Sequence, residues 1–203
     1  MNNLDLIKWL NICCVLIFFM ILIGGATRLT QSGLSMVDWK PLIGILPPLN
    51  EESWNEKFNA YKEFPEYQKI NRFKNMQLDE FKNIFYWEYS HRILGRIIGL
   101  FFIIPFLIFW RKGLLNNNLI KNILYSIILL CIQGLLGWFM VKSGLVDNPH
   151  VSHYRLASHL FLAFILIAYT YWIKLGLEKK DKLNIDVNKN LFNHVYIILF
   201  LYV

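Results

Sequence analysis

Cysteine is scarce in this chain, and its three copies, Cys13, Cys14 and Cys131, all lie inside apolar segments. Because none lies in a loop, the sequence offers neither a disulfide framework nor a thiolate metal site, and we expect three small buried hydrophobic side chains. Charge is scarce as well, since Asp, Glu, Lys and Arg make up 17% of the residues against 56% for hydrophobic types. This balance excludes an ordinary soluble domain.

The formal charge of +7 does not indicate a nucleic-acid partner. No basic cluster is interleaved with exposed aromatic residues, and many of the basic residues lie in short loops beside apolar blocks. We therefore expect membrane lipid, and no nucleic acid, around this protein.

The apolar residues come in blocks of about twenty, the length that crosses a ~30 Å hydrocarbon core. We predict an all-α polytopic membrane protein, a four-helix transmembrane bundle with a long outer loop and the start of a fifth span. The first block lacks an A-x-A cleavage pattern, so we expect an uncleaved first span. The predicted segments are the N-terminal tail and first span (1–26), the loop (27–83), the second span (84–110), the third (122–141), the fourth (152–173) and a truncated fifth (191–203).

The loops after the second and fourth spans are short and basic. Basic loops remain on the cytoplasmic side, so the N-terminus is predicted to be cytoplasmic and loop 27–83 to face outward. Inside that loop, aromatic residues recur at a spacing of three to four and predict an amphipathic helix that ends at Pro65. These aromatic residues are Trp54, Phe58, Tyr61 and Phe64.

The stretch richest in ionisable groups reads W-E-Y-S-H-R-I-L-G-R, from Trp87 to Arg96. It lies in a helix predicted from Asp79 through Trp110, with a kink at Pro105. Ionisable residues that enter a bilayer are costly, so they are usually paired, solvated in a cavity or engaged with a substrate. This stretch is therefore the first place to look for chemistry.

Two histidines lie at matched depth. His91 and His159 are each about seven residues inside their spans, roughly 10 Å down by the helical rise. Histidines on separate helices at one depth can bind a heme iron from opposite sides, and the alternative is two unrelated interfacial side chains. His153 lies on another face of its helix, and we expect it to be interfacial, like His150 and His194.

Glu88 has two interpretations on spacing alone. It lies three residues before His91, on the same helix face, and four residues before Arg92. It is either the ion-pair partner of Arg92 or a buried acid–base group one turn from a heme ligand.

Five stretches together resemble heme A synthase, nearest to its proteobacterial and mitochondrial branch. They read G-G-A-T-R-L-T-Q-S-G-L-S-M-V-D-W-K-P from Gly24, P-P-L from Pro47, P-E-Y from Pro65, F-K-N-I-F-Y-W-E-Y-S-H-R-I-L-G-R from Phe81 and H-Y-R-L-A-S-H-L from His153. The resemblance covers the chain from about Trp9 to Gly176.

The resemblance implies eight spans in two four-helix bundles, of which this chain corresponds to the first bundle and the start of the fifth span. It implies an oxidoreductase of heme A biosynthesis that oxidises a ring methyl of heme O to a formyl group by successive hydroxylations. His91 and His159 correspond to the iron ligands of the substrate-side bundle, and Glu88 to an acid thought to take part in catalysis. Cofactor-binding roles are predicted for Trp87, Arg92 and Arg96.

The resemblance also implies heme b in the second bundle, which lies outside this chain. Heme O synthase, an electron-transfer protein and a second copy of the chain are the expected partners, in a bacterial inner membrane. Some branches carry a cysteine pair in the first outer loop, and this loop has none, so a thiol role there does not transfer. The alternatives are a bis-histidine b-type cytochrome or quinol-oxidising subunit, and a structural subunit without cofactor. The aromatic outer loop and Glu88 favour the enzyme.

Overall fold

Helices account for all the regular secondary structure in the computed structural model, which describes residues 3–37, 46–144 and 150–181. They are α1 (Asn3–Leu29), α2 (Glu51–Lys62), a π-helical turn (Tyr67–Asn71), α3 (Leu78–Arg111), α4 (Asn117–Gly144) and α5 (His153–Asp181). The predicted all-α class is confirmed. The predicted fifth span, 191–203, lies outside the described residues.

Four of these helices, α1, α3, α4 and α5, are long and apolar enough to cross a membrane. Helix α3 begins one residue before the predicted Asp79 and ends one residue after Trp110. The others extend past the predicted spans, and α5 continues from 173 to Asp181 through charged residues. Such ends project beyond a hydrocarbon core, because backbone hydrogen bonding can continue where the apolar sequence stops.

The four long helices form a closed ring in the order α1, α3, α4, α5. Helix α1 packs against α3 and α5, and α4 packs against the same two helices. Over the described ranges, no Cα atom of α1 lies within 8 Å of one in α4, and none of α3 within 8 Å of one in α5, so each of these pairs lies diagonally across the bundle. The two helices that carry the predicted histidine ligands, α3 and α5, are therefore diagonal partners.

The cysteine prediction holds for two of three residues. Cys13 and Cys14 are buried in the bundle, where Cys13 joins the apolar core. The prediction is wrong for Cys131, which is exposed on α4. In a membrane protein the lipid-facing surface is as apolar as the core, so an apolar neighbourhood in sequence does not imply burial.

Helix α3 continues through Pro105, and α1 supplies the hydrogen bond that this proline cannot make. Proline has no N–H, so the carbonyl of Phe101, four residues earlier, lacks its helical donor. The indole N–H of Trp9 donates to that carbonyl at 2.8 Å. An unsatisfied carbonyl is costly in a membrane, and this contact fixes the register of α1 against α3.

The outer loop packs on the first turns of α3 through aromatic rings. Helix α2 begins with a capping box in which the side chain of Asn50 accepts from the backbone N–H of Ser53 at 2.9 Å. The amphipathic helix is thus confirmed, although it ends at Lys62 and leaves Phe64, just before Pro65, outside. A residue that precedes proline is disfavoured in helical geometry. The buried cluster comprises Trp54, Phe58, Tyr61, Phe81 and Phe85.

We expect Trp9→Phe to lower the melting temperature of the detergent-purified protein, with a loss of about 1–3 kcal/mol from the unpaired Phe101 carbonyl. In a Pro105→Ala background residue 105 regains its N–H and can donate to Phe101, so the same substitution should cost clearly less. Trp172→Phe, at an exposed indole, is the matched control. An equal cost of Trp9→Phe in both backgrounds would contradict this assignment.

Candidate functional site

Glu88 lies at the centre of a buried polar contact between the outer loop and α3. The residue as a whole is 4% exposed. One carboxylate oxygen accepts hydrogen bonds from the Ser35 hydroxyl and from the Met36 backbone N–H, both at 2.8 Å. The other oxygen forms an ion pair with the guanidinium of Arg92. The pairing predicted from the i,i+4 spacing is therefore present, and both oxygens have donors.

Arg92 completes a set of contacts around one residue of the loop, Met36. While Glu88 accepts from the N–H of Met36, Arg92 donates to the carbonyl oxygen of the same residue at 3.1 Å. The ion pair thus holds both polar groups of Met36. These contacts fix the segment after α1 over the helix face that carries His91 one turn below Glu88.

A second buried carboxylate lies in the outer loop. The hydroxyl of Tyr61 donates to Glu66 at 2.9 Å, and the side-chain amide of Asn71 donates to that hydroxyl at 2.7 Å. The pKa of Glu66 is raised from 4.5 to about 7, mainly by burial and also by the charge of Glu88, against the lowering effects of the Tyr61 hydrogen bond and of Lys74. Sequence reasoning missed this group, although Glu66 stands in the quoted P-E-Y motif.

His91 contacts α1 at a glycine. A Cβ built on Gly24 would lie 3.2 Å from Nε2 of His91, so the imidazole occupies the space that any larger residue would fill. One turn deeper, the pattern is reversed, because a Cβ on Gly95 of α3 would lie 3.3 Å from the terminal methyl of Met20 on α1. Glycines on both helices therefore allow α1 and α3 to approach closely at the level of His91.

His159 has the equivalent environment on the other side of the bundle. A Cβ on Gly137 of α4 would lie 3.2 Å from Cε1 of its ring. The side-chain amide of Gln133, one turn away on α4, donates to the backbone carbonyl of His159 at 2.9 Å. Nδ1 of His159 is buried and has no hydrogen-bond partner among the described residues. Sequence reasoning did not identify Gln133 or either glycine contact.

The two histidines form a diagonal pair. They project from α3 and α5, whose Cα atoms stay more than 8 Å apart across the described part of the bundle, and they are near enough to interact electrostatically. In the described ranges, no group of three or more His, Cys, Asp and Glu side chains is placed to hold a bare metal ion. Iron in a porphyrin already has its equatorial ligands and needs only two axial ones, so this donor set fits heme.

The predicted cofactor-binding residues have different environments. Trp87 is 42% exposed, on the outer surface of α3. Arg92 is engaged by Glu88 and Met36. Arg96 retains a buried Nη1 without a partner in the described residues and so can still donate to an anionic group. His153, predicted to be interfacial, is exposed, whereas His194 lies outside the described residues.

A family model matches residues 7–203, nearly the whole chain, and its description is "COX15-CtaA: Cytochrome oxidase assembly protein". Among curated proteins, the heme A synthase of Nitrosospira multiformis is 53% identical over 169 residues, which cover 83% of this chain and 47% of the relative. The heme A synthase of Flavobacterium johnsoniae is 51% identical over 188 residues, or 93% and 54% of the two chains.

The heme A synthase of Rickettsia bellii is 49% identical over 162 residues, which cover 80% of this chain and 48% of the relative. The chain thus spans about half the length of the curated relatives that it matches. No solved structure matches it significantly.

We expect the stability of the protein to fall as pH rises from about 4.5 to 7, because the unfolded chain ionises Glu66 in that window while the folded chain keeps it protonated. The raised pKa corresponds to a penalty on the order of 3 kcal/mol above pH 7, at about 1.4 kcal/mol per unit. Glu66→Gln should remove this loss of stability between pH 4.5 and 7. Melting temperatures in detergent between pH 4.5 and 8 measure it, with the exposed Glu63→Gln as control. Parallel pH curves for wild type and Glu66→Gln would refute the assignment.

Proposed function

The chain belongs to the COX15-CtaA family of cytochrome oxidase assembly proteins, and on that basis we propose that it is the substrate-binding half of a heme A synthase. Its reaction is the oxidation of a ring methyl of heme O to a formyl group by successive hydroxylations. The curated relatives that carry the name heme A synthase support this, at about 50% identity over most of the chain.

One observation carries the proposal for the site: two histidines stand on diagonal helices at the same end of one bundle. His91 and His159 would hold the iron of heme O in the interior of the bundle, between α3 and α5. Arg96, with its free donor, suits a propionate.

Glu88 lies one turn from His91, so it approaches the rim of a ring whose centre the histidine fixes. Its two oxygens already accept three hydrogen bonds, from Ser35, Met36 and Arg92, which hold the carboxylate in one position. A carboxylate there could take a proton as the methyl carbon is hydroxylated, or stabilise positive charge that develops at that carbon, and a fixed carboxylate suits the second role. Arg92 acts indirectly, by holding Glu88 and Met36 in place.

With water as the oxygen source, the conversion of a methyl to a formyl group takes up one oxygen atom and releases four electrons and four protons, so the reaction needs an electron acceptor beyond these helices. We propose that heme b, bound in the second half of the full-length relatives, and a membrane electron-transfer protein fill this role. Heme O synthase is the source of the substrate, and a second copy of the chain is a further possible partner. The site faces outward in a bacterial inner membrane, with the N-terminus in the cytoplasm. A bis-histidine electron carrier fits the histidine pair as well, but the family does not favour it.

We expect His91→Met and His159→Met to shift or abolish the absorption spectrum of heme O bound to the purified chain, and to weaken binding by roughly tenfold or more. Each substitution removes one axial nitrogen. His153→Gln, on the same helix as His159 but exposed, should leave spectrum and affinity unchanged. Equal effects of all three substitutions would show that the ligands are misassigned.

Within a full-length synthase, we expect the Glu88→Gln variant to bind heme O but to form heme A roughly 10²–10⁴-fold more slowly. The reason is that the substitution removes the carboxylate that acts on the reacting carbon. Pigment analysis of the cells measures both hemes. The substitution also leaves Arg92 unpaired, so the control is Glu88→Gln with Arg92→Gln, which removes that buried charge. A full return of heme A in the double variant would mean that Glu88 only pairs with Arg92.

A further inference from the structure

We propose that Gly24 of α1 and Gly137 of α4 are positioning residues that set the orientation of the two heme-ligand imidazoles. Each glycine leaves a gap in the neighbouring helix that receives one ring, His91 at Gly24 and His159 at Gly137. The inference rests on the proposed function in one respect only, namely that these rings bind an iron tetrapyrrole. The gaps themselves are a property of the packed helices.

The contacts are specific to these two positions. A Cβ on Gly24 would meet only the His91 ring within 4 Å, at 3.2 Å from Nε2 and 3.6 Å from Cδ2. The three atoms nearest to a Cβ on Gly137 all belong to the His159 ring, at 3.2, 3.8 and 3.9 Å. The neighbouring Gly25, and Gly134 one turn from Gly137, would meet nothing within 4 Å. Two independent helix pairs thus repeat one arrangement, a glycine opposite a histidine.

Glycine has no conformational reason to stand at either position. Both residues lie inside regular helices, where glycine costs about 1 kcal/mol relative to alanine. Close packing is a reason for glycine at these two positions, because the group packed against it is in both cases the predicted ligand ring.

A methyl group at either position would be closer to the ring than ordinary van der Waals contact allows. The imidazole would have to move by a few tenths of an ångström, and a valine would displace it further. Two histidines that hold one iron would each need a fixed ring orientation, and here they come from helices whose Cα atoms stay more than 8 Å apart. If one ring is displaced, the ring on the other helix is not coupled to it and would not move to compensate, so iron binding should weaken.

The test compares four glycines on two helices. Gly24 and Gly137 are each changed to Ala and to Val, and the matched controls are the same changes at Gly25 and Gly134. Each purified chain is titrated with heme O, and absorption and electron paramagnetic resonance spectra report the low-spin fraction. Circular dichroism confirms that each variant is helical, and the alanine series remains informative if a valine variant does not fold.

We expect affinity and low-spin fraction to fall in the order Gly, Ala, Val at positions 24 and 137, with a loss of roughly tenfold or more in affinity for Val. Affinity and low-spin fraction should not change in the variants at positions 25 and 134. Identical spectra and affinities in the two series would overturn the inference.

A second measurement needs no heme. The rate at which diethyl pyrocarbonate modifies His91, followed by peptide mass spectrometry, should change in Gly24→Val and not in Gly25→Val. The same holds for His159 with Gly137→Val against Gly134→Val. If wild type binds no heme O but these rates change as expected, the ligand assignment fails and the positioning role stands. If the rates do not change, the positioning role fails whatever the heme data show.

Discussion

The buried ion pair between Glu88 and Arg92 is the interaction on which the packing of the loop between α1 and α3 depends. The side chains of Arg92 and Glu88 are only 14% and 5% exposed, so neither charge could remain without the other. Removing one partner of such a pair typically costs about 3–5 kcal/mol, whereas replacing both by apolar groups can be neutral. The value of the pair therefore lies in specificity more than in net stability. It determines which residue of the loop lies over the face of α3 that carries His91, and that residue is Met36.

The arrangement of the bundle follows from its ring of contacts. Because α1 and α4 each pack against both histidine helices, they form the side walls of the bundle, while the Cα atoms of α3 and α5 stay more than 8 Å apart across the described ranges. His91 on α3 packs against Gly24 of one wall, and His159 on α5 packs against Gly137 of the other. The hydrogen bond from Trp9 to Phe101 fixes the register of α1 on α3 from the opposite end of the bundle. The register of α1 on α3 places Gly24 opposite His91. The hydrogen bond from Trp9 to Phe101 and the contact at His91 therefore depend on the same alignment of the two helices.

Sequence reasoning found the features that depend on local spacing. The bounds of α3, the amphipathic α2 and the pairing of Glu88 with Arg92 all follow from repeats of three to four residues. It missed features that depend on contacts distant in sequence. Ser35 and Met36 lie more than fifty residues from Glu88, and no periodicity connects them to it. The exposure of Cys131 was missed for a different reason, because hydropathy cannot separate a lipid-facing side of a helix from a buried one.

The two buried carboxylates, Glu88 and Glu66, have different ion-pair and hydrogen-bond partners, and this difference separates their roles. Glu88 has a full cationic partner, so its charge is balanced in place. Glu66 has only the neutral donor Tyr61 and the more distant influence of Lys74, and burial leaves its pKa near 7. The charge of Glu88 also acts on Glu66, so a proton gained or lost by Glu66 changes the electrostatic potential at Glu88. The aromatic cluster that buries Tyr61 keeps water from screening this coupling, which ties the packing of α2 on α3 to the electrostatics above His91.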